Sequence, residues 1–152
     1  MSDPPEAVIF IGIQATGKST FYKRRFVDSH IRLNLDMLNT RHRETVLFGA
    51  CLDVRQSFVI DNTNPTPDDR ARYIPRSKEA RFRVCGYYFS SEPEAALARN
   101  AARAKAEQIP KAGVLGTLGK LERPSYDEGF DDLYYVTIED GEFRVEAWRD
   151  ND

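Results

Sequence analysis

No stretch of this 152-residue chain approaches the roughly 20 consecutive apolar residues that a membrane-spanning helix needs. A role across a bilayer is therefore not expected. Cysteine is scarce: Cys51 and Cys85 have neither a metal-ligand spacing nor the pattern of a disulfide framework. The hydrophobic residues around them suggest buried thiols in a reducing compartment. The start, Met1-Ser2-Asp3-Pro4-Pro5-Glu6, has neither the basic opening nor the small-residue cleavage site of a secretory signal, so a cytoplasmic protein is expected. An excess of positive charge is also missing. The formal net charge of -2 argues against bulk attraction to nucleic acid, although a local basic groove remains open. Arginines cluster at Arg24/Arg25, Arg41/Arg43, Arg70/Arg72/Arg76 and Arg99/Arg103, so their distribution matters more than their sum. There is no internal repeat and no low-complexity tract. The length suits one compact domain over residues 1–152, with 1–6 disordered or extended.

Hydrophobic patterning gives the order of elements. Ala7 to Ile13 is a continuous β-rich apolar run, as in a strand buried on both faces of a parallel sheet. From Lys18 onward, Phe21, Tyr22, Phe26 and Val27 fall at helical spacing. Ile31 to Leu35 alternates as a short strand, residues 36 to 55 read as one long helix, and Ser57 to Asp61 reads as a buried strand. Pro67 opens a helix that Pro75 is expected to end or bend. A strand over 81–89, an alanine-rich helix over 93–107 and a shorter helix over 114–121 follow. Two final β segments, Tyr135 to Ile138 and Phe143 to Trp148, flank an Asp140-Gly141 hairpin signal. The aromatics Tyr87, Tyr88, Phe89, Tyr134 and Tyr135 read as core or sheet surface.

Gly12-Ile13-Gln14-Ala15-Thr16-Gly17-Lys18-Ser19 fits the G-x-x-x-x-G-K-[ST] phosphate-loop pattern, with a buried strand before it and an amphipathic helix after it. Gly12 and Gly17 let the backbone turn so that the N–H groups of Gln14, Ala15, Thr16 and their neighbours, through Thr20, point at phosphate oxygens. Lys18 is expected to bridge the β- and γ-phosphates of ATP, and Ser19 to ligate magnesium. The fold class that follows is three-layer α/β of the P-loop type: a mostly parallel central sheet, a helical lid over about 95–123 and a C-terminal β-hairpin.

Two carboxylates complete the candidate site. Asp61 ends a buried strand, where such a protein supplies a carboxylate to the magnesium shell; the alternative is a turn-forming Asx residue. Asp36 follows the second strand on the same rim and could accept the proton of an attacking hydroxyl; the alternative is a helix N-cap.

Four segments taken together resemble the 5′-kinase domain of polynucleotide kinases over about residues 7 to 133. They are Lys18-Ser19-Thr20, Asn34-Leu35-Asp36, Ile60-Asp61-Asn62-Thr63-Asn64-Pro65 with Arg70, and Arg99-Asn100-Ala101-Ala102-Arg103 before Ile109-Pro110. The resemblance implies that Asp36 is the general base for a 5′-hydroxyl, that Arg103 is a lid arginine on the ATP phosphates and that Arg99 is a second one. Positions 99 and 103 share one helix face, which suits contact with one polyanion. The acceptor set that it suggests is Asp36, Asn39, Arg41, Asn64 and Arg70. Asn39 departs from the family, where an arginine three residues after the base holds the acceptor phosphate, and Arg41 or Arg43 is the candidate replacement. No phosphatase-type Asp-x-Asp-Gly-Thr sequence is present. The acceptor is expected to be a 5′-hydroxyl end of DNA or RNA. The alternatives are a small-molecule hydroxyl, on a nucleoside, sugar or antibiotic, and an ATPase-type nucleotide-binding module.

Overall fold

The computed structural model describes residues 3–90, 93–103 and 108–149. Six strands form one sheet in the order β2-β3-β1-β4-β5-β6. They are β1 (Glu6–Ile11), β2 (Ile31–Leu33), β3 (Phe58–Ile60), β4 (Arg83–Phe89), β5 (Asp132–Glu139) and β6 (Glu142–Ala147). All neighbours are parallel except β5 and β6, which form the C-terminal hairpin. Asp140 and Gly141 turn that hairpin with φ of 51° and 77°, as an Asp-Gly turn requires. Glu6, expected in an extended lead, already pairs in β1.

Alternation along β1 divides the core. Ala7, Ile9 and Ile11 face a layer built on Phe48, Cys51, Leu52, Tyr73 and Ile74, whereas Val8 and Phe10 face Phe21, Tyr22 and Phe26. The first layer comes from α3 (Arg41–Val54) and from α5 (Ile74–Glu79) with its N-cap Tyr73, and the second from α1 (Lys18–Arg25) and the residue that caps it. Helices on both faces bury β1 from Ala7 to Ile11, which is why that run is apolar without alternation. Cys51 and Cys85 are buried free thiols. No helix among the described residues is long and apolar enough to cross a membrane.

Two predicted helices differ from the structure. The long helix over 36–55 is broken into α2 (Leu35–Leu38) and α3, because Asn39 turns left-handed at φ 71° and the Thr40 side chain then accepts from the Arg43 N–H as a new N-cap. Pro75 does not end a helix. It lies in the first turn of α5, after the separate α4 (Pro67–Arg70), at a position where the missing N–H costs nothing. Two helices follow β4, α6 (Pro93–Ala102) and α7 (Lys111–Lys120). The part of the predicted 93–107 helix and lid that falls on 104–107 lies outside the described residues, as do Met1 and Ser2.

Candidate active site

The loop from β1 to α1 crosses the carboxyl edge of the sheet. Ala15 (φ 62°) and Gly17 (φ 91°) both take left-handed backbone, the alternation that curls successive amides into an anion-holding concavity. A Cβ on Gly17 would lie 3.0 Å from Phe143 Cε1 and 3.1 Å from Ile138 Cδ1, so the C-terminal hairpin packs directly beneath the loop. The Thr16 hydroxyl donates to Ile13 O at 2.9 Å and closes the curl from within.

Lys18 folds back along the loop. Its ammonium donates to Gly12 O at 3.0 Å and Ile13 O at 2.6 Å. Burial takes its pKa from 10.5 down to about 8, with Asp61 opposing, Arg103 adding to the depression and Asp36 opposing.

Asp61 follows β3 and is 2% exposed. Its Oδ2 accepts the Ser19 hydroxyl at 3.2 Å and Arg32 Nε at 2.7 Å. Arg32 Nη2 also donates to Ser19 Oγ at 2.9 Å. Hydroxyl and carboxylate are hard oxygen donors on one edge of the cleft, which fits a magnesium ion whose remaining ligands are phosphate oxygens and water. The described residues contain no cluster of three or more His, Cys, Asp or Glu that could hold a metal without such help.

Asp36 sits in the first turn of α2, and Asn34, not Asp36, is the N-cap, accepting from Met37 N at 3.0 Å. Two cross-links tie this turn to the end of β3. Asn34 Nδ2 donates to Asp61 O at 2.6 Å, and Leu35 N donates to Asn62 Oδ1 at 2.9 Å. Asn62 is held in turn by the buried Glu44, whose Oε2 accepts its Nδ2 at 2.8 Å. Glu44 Oε1 accepts Tyr73 Oη at 2.7 Å and Arg41 Nη1 at 2.9 Å. Burial and the Glu44 carboxylate both push the Tyr73 phenol up, so it stays the donor.

These groups share one cleft of about 380 Å³, lined among others by Gln14, Lys18, Ser19, Arg32, Asp36, Asp61 and Arg103. Helices α6 and α7 are seated against the loop: Ile13 packs with Val114, Gln14 Nε2 donates to Thr117 Oγ1 at 3.0 Å, and Arg99 donates to Ala15 O at 3.4 Å. Asn100 explains the segment it belongs to, since its side chain both donates to and accepts from the backbone of Ile109. Arg99 and Arg103 do not line the same hollow. Arg103 faces the cleft, whereas Arg99 opens on a separate hollow of about 320 Å³ beside Thr16, Ser90 and the end of β5. Thr20 is exposed on α1, outside the residues lining the cleft.

Four of the acceptor residues drawn from resemblance fall elsewhere. Arg70 is fully buried, and its guanidinium is spent on Asn64 O, Pro65 O, Glu122 O and the Glu128 carboxylate. Asn64 is buried too, with Nδ2 donating to Phe10 O at 2.8 Å. Both brace loops inside the fold and meet no acceptor. Asn39 ends α2 outside the cleft, and Arg41 is turned onto Glu44 and Tyr73. Arg43, the other candidate replacement, donates to Leu38 O. Sequence patterning missed Arg32, Asn62 and Glu44. The usable signals were an asparagine directly after the strand-end aspartate and a charged residue within a short strand leading to the rim.

Comparison with known proteins agrees with this geometry. The AAA domain family matches residues 8–124. A Schizosaccharomyces pombe protein named bifunctional polynucleotide phosphatase/kinase is 28% identical over 139 residues, covering 89% of this chain and 34% of that protein. The chain thus spans about a third of the length of the curated relatives it matches. Among solved structures, the Pnkp1/Rnl/Hen1 RNA repair complex aligns with a TM-score of 0.66 and 20% identity, over 80% of this chain and 45% of that one. A gluconokinase from Sinorhizobium meliloti aligns with a TM-score of 0.63 and 13% identity, over 90% and 84%. At these identities the solved structures show the fold alone, a parallel P-loop α/β sheet. From β1 through the phosphate loop and both rim carboxylates past the end of α7, this chain belongs to the AAA domain family.

Proposed function

We propose that the chain is a cytoplasmic, ATP-dependent kinase that transfers the γ-phosphate to a 5′-hydroxyl end of DNA or RNA, working as one P-loop domain with a lid over about 95–123. The observation that carries this is the shared cleft: a phosphate loop, a Ser19–Asp61 pair, a rim carboxylate and a lid arginine line one cavity. The relatives named polynucleotide phosphatase/kinase support the choice of acceptor.

In this reading the loop amides and the Lys18 ammonium hold the triphosphate, and Lys18 exchanges its two carbonyl partners for phosphate oxygens. Ser19 and Asp61 hold magnesium, which neutralises charge on the phosphate oxygens when bound. Asp36 takes the proton of the 5′-hydroxyl as its oxygen bonds to the γ-phosphorus. The bond from that phosphorus to the bridging oxygen breaks, and ADP leaves with the electron pair. Arg103 faces the same cleft and offsets negative charge on the transferring group.

The test is labelled ATP with single-stranded, duplex and RNA oligonucleotides bearing 5′-hydroxyl ends. Label is expected on at least one of them, and its absence from all would overturn the assignment. Asp36→Asn is expected to bind ATP as the parent does while losing transfer by at least about a hundredfold. A small-molecule hydroxyl is the second reading, favoured by the position of Arg41 and by Asn39, which together leave the acceptor rim with few cations. Salt separates the two, because a polyanionic acceptor weakens steadily with rising salt and a neutral metabolite does not.

A further inference from the structure

The two groups assigned to magnesium are already bridged by a cation of the protein's own. Arg32 Nε lies 2.7 Å from Asp61 Oδ2, and its Nη2 lies 2.9 Å from Ser19 Oγ. Ser19 donates its proton to the same carboxylate oxygen at 3.2 Å, so both lone pairs of Oδ2 are taken, and a metal that ligates Oδ2 beside Ser19 Oγ must take the one that the arginine holds. A magnesium ion sits about 2.1 Å from its oxygen ligands. Arg32 N–H and the metal cannot share that lone pair.

Asp61 needs a positive partner at all times, because its carboxylate is 2% exposed and a buried unpaired charge is costly. Lys18 does not bond to it, since the ammonium is directed at Gly12 and Ile13 carbonyls. Arg32 fills that role. It comes from the middle of the edge strand β2, and its side chain is 25% exposed. It also lines the cleft together with Asp36, so a direction of release exists within the same cavity.

We propose that Arg32 is a resident cation that exchanges with the metal. It holds Ser19 and Asp61 together in ligating geometry when no metal is bound, and it yields both when magnesium arrives with nucleotide. The inference rests on the assignment of Ser19 and Asp61 to the metal. Its consequence is that the nucleotide-free protein discriminates against bare divalent ions, which must displace an ion pair, and accepts them once phosphate oxygens supply further ligands.

Manganese is the probe, titrated into nucleotide-free protein while the free aquo ion is counted by electron paramagnetic resonance. Arg32→Ala is expected to bind manganese about tenfold more tightly than the parent, the scale of one hydrogen bond to a charged group removed from competition. Arg32→Gln keeps the side-chain length and serves if the alanine variant misfolds; it is expected to behave likewise. Arg32→Lys retains a cation and is expected to stay near the parent value. In chelator, Arg32→Ala is expected to melt below the parent, and added manganese should close that gap. Equal or weaker manganese binding by folded Arg32→Ala or Arg32→Gln would overturn the exchange. Asp61→Asn, measured alongside, is expected to bind manganese poorly. Parent-like binding by that variant would show that the metal assignment itself fails, and the exchange with it.

Discussion

Replacing Arg70 with alanine distinguishes a residue that braces the fold from one that holds an acceptor. The side chain is fully buried. Nε donates to Asn64 O at 3.0 Å, Nη1 reaches both Glu128 oxygens at 3.1 and 2.9 Å, and Nη2 donates to Pro65 O at 3.1 Å and to Glu122 O. Truncation would remove the paired charge of the Glu128 carboxylate and the side-chain donor of three carbonyls, leaving the Glu122 N–H on Pro65 O and the Ser125 N–H on Glu128 Oε2. Breaking a buried pair from one side costs about 3–5 kcal/mol. For a domain of this size that corresponds to a fall in melting temperature of about 6–20 °C. Lysine would keep the charge but lose the planar fork, so Arg70→Lys should fall between parent and alanine. The assay is thermal or urea unfolding of parent, Arg70→Ala, Glu128→Gln and the double variant. Strong coupling between positions 70 and 128 is expected, because the two single changes remove the same contact. An Arg70→Ala protein within about 1 kcal/mol of the parent, with a raised KM for the acceptor, would refute the brace and restore the acceptor role implied by resemblance.

Two further outcomes are expected. Nucleotide affinity should fall with pH above about 8: the free Lys18 ammonium loses its proton there, whereas a bound polyphosphate holds that proton on. Between pH 7 and 9 the loss is roughly tenfold, readable by calorimetry with ADP, and a flat profile over that range would contradict the buried, charge-coupled ammonium. Asn62→Ala removes the acceptor for the Leu35 N–H and the donor to Glu44. Turnover should drop about tenfold to a hundredfold through misplacement of Asp36 while ATP affinity stays near the parent, and unchanged turnover would show that α2 needs no such tether.

The residues legible in the sequence were those whose chemistry is local. Gly17, Lys18 and Ser19 are consecutive, and β1 before them is apolar from Ala7 to Ile11 because both its faces are covered there. Asp61 was legible because it follows a fully buried strand. The break between α2 and α3 was missed because neither proline nor glycine marks it; an Asn39-Thr40 pair does the work through one left-handed φ and one hydroxyl cap. Arg70 was misread for a different reason. Its partners Glu122 and Glu128 are 52 and 58 residues away, so nothing near it in the chain reports that it is buried. Arg32 is similar, since Ser19 and Asp61 reach it from two other segments.

The same long-range links hold Asp36 and Asp61, the base and the metal carboxylate of the proposed mechanism, in fixed relation. Asp36 and Asp61 follow adjacent parallel strands, so the spacing of β2 and β3 sets their separation. Asn34 to Asp61 O, and Leu35 N to Asn62, then lock the two strand ends together beyond the last paired residues. A shift of either strand end therefore carries both carboxylates with it. Arg103 belongs to a different mechanical unit: it follows α6, and α6 and α7 meet the phosphate loop through side-chain contacts, Arg99 with Ala15 O from α6, and Val114 with Ile13 and Thr117 with Gln14 from α7. Side-chain contacts of this kind can open without breaking the sheet, whereas the relation of Asp36 to Asp61 is tied to the pairing of β2 with β3. In the proposed mechanism, proton acceptor and metal carboxylate would thus ride on the rigid half of the cleft, and the arginine that completes it would come from the half that opens to admit and release nucleotide.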